Sequence, residues 1–121
     1  MERCLDLFEL EGFFETAYKS MYGNDKQGWY YDRIRFERST GGERVMCEIE
    51  PAEGVFSVSW SVNGEVRMNI SLQYVKAIDI SVSAGEENLI GHVLHSGVNQ
   101  LFKLTIKPAF SLSLGTGLPT W

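Results

Sequence analysis

Val66-Arg67-Met68-Asn69-Ile70-Ser71-Leu72-Gln73-Tyr74 alternates apolar and polar side chains at every step. A period of two puts the apolar set on one face of an extended chain, so the stretch predicts a half-buried strand. The same parity holds in Phe56, Val58, Trp60 and Val62, in Ile78, Ile80 and Val82, in Phe102, Leu104 and Ile106, and in Phe110, Leu112 and Leu114. Outward from these, the pattern predicts strands over residues 29–38, 43–50, 55–62, 66–74, 76–83, 89–95, 100–107 and 109–114. The breaks fall on Thr40-Gly41-Gly42, Pro51 to Gly54, Asn63-Gly64, Ala84-Gly85, Ser96-Gly97 and Pro108. Connections this short favour antiparallel hairpins over crossover units.

Residues 1–22 carry the helical pattern, because Leu7, Leu10, Phe14, Ala17, Tyr18 and Met21 recur at three- and four-residue steps and form one stripe. Gly12 interrupts it at a cost of about 1 kcal/mol relative to Ala. A start near Glu11, with residues 4–10 extended, is therefore the alternative to one long helix. Gly23 and Asn24 supply a left-handed stop. The expected fold is α+β, a single domain over residues 1–121. One N-terminal helix packs on a curved, mostly antiparallel sheet of about six to eight strands.

Asn63-Gly64 has the residues of a tight hairpin turn, but that pairing sets Val62 against Glu65 and Trp60 against Arg67, mixing oily and polar faces. A three-residue loop, or a bulge near the turn, restores Trp60 to Met68 and Val58 to Ile70, and the looser hairpin is predicted. Lys76 occupies an inward slot, which predicts a bend between Tyr74 and Ile78.

The chain has 121 residues, 44% of them hydrophobic, enough for one core without a disulfide or a metal. Cys4 and Cys47 therefore need not be partners, and Cys47, between Val45 and Ile49 on an apolar parity, reads as a buried thiol. No apolar run is long enough for a signal peptide or a membrane span, which predicts a cytoplasmic chain with reduced cysteines. Sixteen acidic residues against 11 basic ones give a net charge of -5. The densest basic group is Arg33, Arg35 and Arg38, and no basic stripe exists. Nucleic acid is a poor partner for such a surface, and a basic macromolecule a better one.

The motifs that carry chemistry give little. His92 and His95 are spaced as in a metal-binding pair on a helix, but a strand would put them on opposite faces, and no ligand set completes around them. Glu48 and Glu50 share an outward strand face, with Glu53 in the next loop. A carboxylate pair can do acid and base work, yet a solvated face is the simpler reading. Ser57, Ser59, Ser61, Ser81, Ser83, Ser111 and Ser113 keep the outer strand faces wet rather than supplying a nucleophile. Leu114-Gly115-Thr116-Gly117 lacks the third glycine and the following helix of a phosphate cradle. No catalytic residue, cofactor or metal is expected.

Trp29-Tyr30-Tyr31-Asp32 is more suggestive, because consecutive aromatics on a strand cannot all point inward. The parity of Ile34 and Phe36 turns Tyr30 in and leaves Trp29 and Tyr31 outside, beside Arg33 and Arg35. Exposed Trp, Tyr and Arg together are enriched at protein interfaces. Glu86 and Glu87 follow Gly85 in a second acidic loop.

Together, the N-terminal helix, the antiparallel strands, Val58-Ser59-Trp60 before Asn63-Gly64 and the acidic balance resemble the bacterial immunity proteins of contact-dependent inhibition and related polymorphic toxin systems. The likeness lies mainly in residues 29–83 and is one of character, with no diagnostic motif. It implies a cytoplasmic antidote that docks on a cognate toxin domain, expected to be a basic nuclease, without touching nucleic acid or membrane itself. Asp32, Glu48, Glu50, Glu53, Glu86 and Glu87 would then meet toxin Lys and Arg, and Trp29 and Tyr31 would anchor the contact. Two further classes stay open. A small-molecule or lipid binder would use the aromatics as a cavity lining. An acidic secretion chaperone or adaptor would offer an apolar groove, although such chaperones end in a helix and this chain ends in Gly-Leu-Pro-Thr-Trp.

Overall fold

A computed structural model describes residues 1–107 and 109–116, with the side chains of all but Ser83 and Thr116. The reading of Pro108 as a break and of the carboxyl-end glycine tail lies outside the described residues. Among the described residues one amino-terminal α-helix and nine strands form an α+β fold in which the strands pair antiparallel. The strands divide between two sheets rather than one. The first contains β1 (Lys19–Ser20), β2 (Ile34–Thr40), β3 (Glu43–Glu50), β4 (Val55–Val62) and β5 (Glu65–Leu72) in sequence order. The second contains β6 (Val75–Ser83), β7 (Glu86–His95), β8 (Val98–Thr105) and β9 (Ser111–Thr116), again in sequence order.

The inward parity of each sheet builds the core between them. Ile34, Phe36, Cys47, Ile49, Phe56 and Val58 of the first sheet meet Val75, Ile78, Leu89, Phe102 and Leu104 of the second. The Phe56 and Phe102 rings lie 4.8 Å apart across the gap. Gly91 pairs with Phe102, and a Cβ at that position would fall 1.9 Å from the Phe102 ring, so the missing side chain is what lets the ring lie flat on β7.

The helix is shorter than its stripe suggested. α1 runs Leu7–Phe14, opened by a capping box in which the Asp6 carboxylate accepts from the Glu9 amide and the Glu9 side chain accepts in return from the Asp6 amide. It ends at Glu15, which takes a left-handed conformation (φ 54°), not at Gly23. Ala17, Tyr18 and Met21 lie outside it, and Lys19–Ser20 pairs with β2 instead. Neither the single long helix nor the start near Glu11 holds. Leu7, Leu10, Phe13 and Phe14 are buried, and Phe14 stacks on Phe36 at 4.6 Å.

Residues 29–33 are not a strand. Lys26–Tyr31 forms a 3₁₀ helix capped by Asp25, and β2 begins only at Ile34. At Asn63-Gly64 the tight turn does form, with both residues at positive φ (50° and 80°), in place of the looser loop. A register shift between Trp60 and Ser61 then leaves Arg67 out of the ladder and restores Trp60 to Met68 and Val58 to Ile70. The predicted bend is a crossing between sheets. Tyr74 sits at φ 61°, its ring stacks on His95, and the Val75 amide donates to the Gly54 carbonyl at 2.9 Å.

Candidate functional site

The outer face of the first sheet carries the charges that the sequence left open. Arg35 lies directly opposite Glu48 across the β2–β3 hairpin, and its guanidinium meets the carboxylate at 2.7 Å. Arg33 reaches the same carboxylate at 2.8 Å and Glu50 at 3.2 Å. Arg35 also meets Glu37 at 3.5 Å, and Arg44 closes the row on Glu37 at 2.8 Å. Glu50, Arg33, Glu48, Arg35, Glu37 and Arg44 thus alternate in sign along one continuous ladder, and the Tyr22 hydroxyl donates to Glu50 at its end. Three carboxylates against three guanidiniums cancel. Burial pushes the Glu48 pKa up, but hydrogen bonds from Arg33 and Arg35 outweigh it and hold the carboxyl below its ordinary value. Glu48 and Glu50 are therefore neither a free acidic face nor a poised acid and base.

Asp32, expected at the surface, is 1% exposed. Its carboxylate accepts from the Ser20 hydroxyl and from the Tyr22 amide, pinning the segment after α1 to the start of β2. Burial raises its pKa, and the hydrogen bonds from Ser20, Tyr22, Arg33 and Asn24 more than reverse the shift, leaving it lowered. Trp29 is half-buried against the core, contrary to the outward placement, because the 3₁₀ helix abolishes strand parity. Tyr30 accepts from the Met1 ammonium and donates to the Met1 carbonyl. Tyr31 stands out at 74% exposure, and Glu53 is exposed in the nearby β3–β4 turn, whose Ala52 amide donates to the Tyr30 carbonyl.

Glu86 and Glu87 lie at the opposite end of the molecule, eight residues of β3 away, which is about 25 Å at the rise of a strand. They open β7 and line a cleft of about 840 Å³ where the β2–β3 and β6–β7 hairpins converge. Glu15, Arg38, Glu43 and Lys107 are the other charged lining residues, over a floor of Phe13, Val45, Ile106 and Phe110. Glu15 holds both cations, with Arg38 at 3.3 Å and Lys107 in direct contact, and the bond from Lys107 lowers its pKa. Glu43, Glu86 and Glu87 have no cationic partner among the described residues. The Arg38 Nη1 atom is buried without an acceptor. Arg38, Glu15, Glu43 and Lys107 come from four separate segments, so no spacing in the sequence announced them.

Among the described residues no group of three or more His, Cys, Asp or Glu could hold a metal ion. His92 and His95 sit on β7, where the latter stacks on Tyr74. Cys47 is fully buried, and burial raises the Cys4 pKa to about 11, so neither is a thiolate at neutral pH. No helix among the described residues is long and apolar enough to cross a membrane.

No family model matches the chain, and no curated protein matches it. Among solved structures the fold is similar to that of a chain described as "Contact-dependent growth inhibition toxin - immunity protein complex from Klebsiella pneumoniae 342". The TM-score is 0.80 at 14% sequence identity, over 96% of this chain and 97% of that one.

Proposed function

We propose that this chain is an immunity protein, a non-enzymatic cytoplasmic antidote that binds and neutralises a cognate toxin domain. The observation that carries the reading is the end-to-end likeness to a chain of a toxin–immunity complex, reached without sequence similarity. Charge selects the antidote from the two components of such a complex. The net charge of -5, and the pairing of Arg33 and Arg35 with carboxylates of their own sheet, suit docking on a basic toxin of the nuclease kind. Of the anticipated contact residues, Tyr31, Glu53, Glu86 and Glu87 remain available, while Asp32, Glu48, Glu50 and Trp29 are engaged within the molecule.

The cleft is large enough for a small molecule. Six charged residues among its 15, however, suit a polar macromolecular contact better than a lipid, whose sites are mostly apolar. Co-production with the toxin domain of any large toxin gene that adjoins this one tests the proposal. Growth should be restored, and the two proteins should co-purify. Toxicity of this chain produced alone, or co-production without protection, would overturn the reading.

A further inference from the structure

We infer that the outer face of α1 is where the toxin domain docks, with Phe8 as a projecting anchor, Gly12 as a recess beside it and carboxylates on both flanks to meet a basic segment. This rests on the antidote reading and gives it a contact face. Leu7, Leu10, Phe13 and Phe14 turn the other side of the helix into the core. Phe8 is left 83% exposed, more than any other large hydrophobic side chain among the described residues. A lone exposed apolar residue is ordinary on a protein surface. Gly12 makes this one unusual. It stands four residues on along the same face, in a helix interior where glycine costs stability relative to alanine. Gly91, by contrast, makes room for the Phe102 ring, and Gly41 and Gly85 hold turns at positive φ. Gly12 has neither reason. Its φ is not positive, and no atom from elsewhere among the described residues comes within 4 Å of where its Cβ would stand. The bare backbone there serves no packing inside the molecule and admits close approach from outside, beside the Phe8 ring.

Charge selects what approaches this face. Between Arg3 and Lys19 the chain has four carboxylates, Asp6, Glu9, Glu11 and Glu15, and no cationic residue. On the helix, Glu9 and Glu11 flank the stripe of Phe8 and Gly12 on opposite sides. Their hydrogen bonds come from backbone amides, of Asp6 to Glu9 and of Tyr18 to Glu11 at 3.1 Å, and leave both charges uncancelled. Of the four, Glu15 alone meets cations among the described residues, namely Arg38 and Lys107. A second copy laid on this face would set carboxylates against carboxylates, and an anionic membrane would be repelled in the same way. The matching occupant is a toxin segment with an apolar pocket for Phe8, a bulky side chain over Gly12 and Lys or Arg along its rim.

Binding kinetics with the toxin domain of an adjoining toxin gene, measured beside thermal melting, test this. Phe8→Ala should melt at the wild-type temperature and bind on the order of thirtyfold more weakly, through faster dissociation. Gly12→Leu should melt at or above the wild-type temperature, because leucine is the better helix former, yet bind on the order of tenfold more weakly. A glycine required by the fold would lower the melting temperature instead. Glu9→Gln with Glu11→Gln keeps the capping box and the acceptor for Tyr18 while removing the charge, and should slow association. If the wild type protects against the toxin and these variants bind it as the wild type does, the docking face is overturned and the antidote reading stands. A wild-type dimer that Phe8→Ala dissolves would assign the face to a second copy and overturn the inference as well. If the wild type neither binds nor protects, the antidote reading fails and the docking face falls with it.

Discussion

Glu48 and Glu50 on β3 and Glu86 and Glu87 on β7 are the same residue type in neighbouring pairs, yet the fold gives them opposite fates. The first pair is enclosed by Arg33 and Arg35, with side chains only 13% and 14% exposed. The second pair stands on the rim of a cleft whose cations, Arg38 and Lys107, are both taken by Glu15. An acidic residue therefore contributes to the outward field only where strand pairing leaves it uncompensated. Net charge counts carboxylates, but cross-strand register decides which of them a partner can feel.

Breaking the ladder should give the largest effect. Glu48→Ala leaves two half-buried guanidiniums facing each other and should cost about 2 kcal/mol in urea unfolding. Acid should divide the two regions next. Asp32 and Glu48 both have lowered pKa values in the folded state, so their contribution is fully present above the unfolded value of about 4 and is lost as the pH falls through the lower folded values. The double variant Asp32→Asn, Glu48→Gln should therefore flatten the acid limb of a stability–pH curve. Raising salt from about 0.05 to 0.5 M should change the unfolding free energy measured in urea by under about 0.5 kcal/mol, because the ladder is partly shielded from solvent. The smallest effect is expected for Glu86→Gln with Glu87→Gln, within about 0.5 kcal/mol of wild type by thermal melting. A loss as large as that of Glu48→Ala would erase the contrast.

Part of this was legible in the chain. The bounds of β3 and β4 match the alternation because glycine or proline turns punctuate both ends. The ladder was within reach as well. A two-residue turn at Gly41-Gly42 sets Thr40 opposite Glu43, and counting back places Arg35 opposite Glu48. The helix itself was legible but its end was not, because its stripe continues past Glu15, whose left-handed backbone no residue-type rule signals. Trp29 to Tyr31 followed the β propensity of aromatics, while the Asp25 cap on Gly28 wound them into a 3₁₀ turn. The division into two sheets hinges on Tyr74 at positive φ, which propensity disfavours. The cleft joins segments distant in sequence, and only the packed molecule shows it.

That crossing at Tyr74 has a practical corollary. Every strand from β1 to β5 precedes it and every strand from β6 to β9 follows it, so each half is a continuous meander of hairpins with short-range pairings. A nick between Gln73 and Tyr74 would sever no pairing between strands of either sheet, and would leave the halves joined by the facing Phe56 and Phe102, by residues 1–3 along β6, and by the Gly54–Val75 bond. The molecule is in that sense ready-made for fragment complementation: two separately produced pieces whose reassembly would report on the apolar seam together with the few polar bonds that cross it.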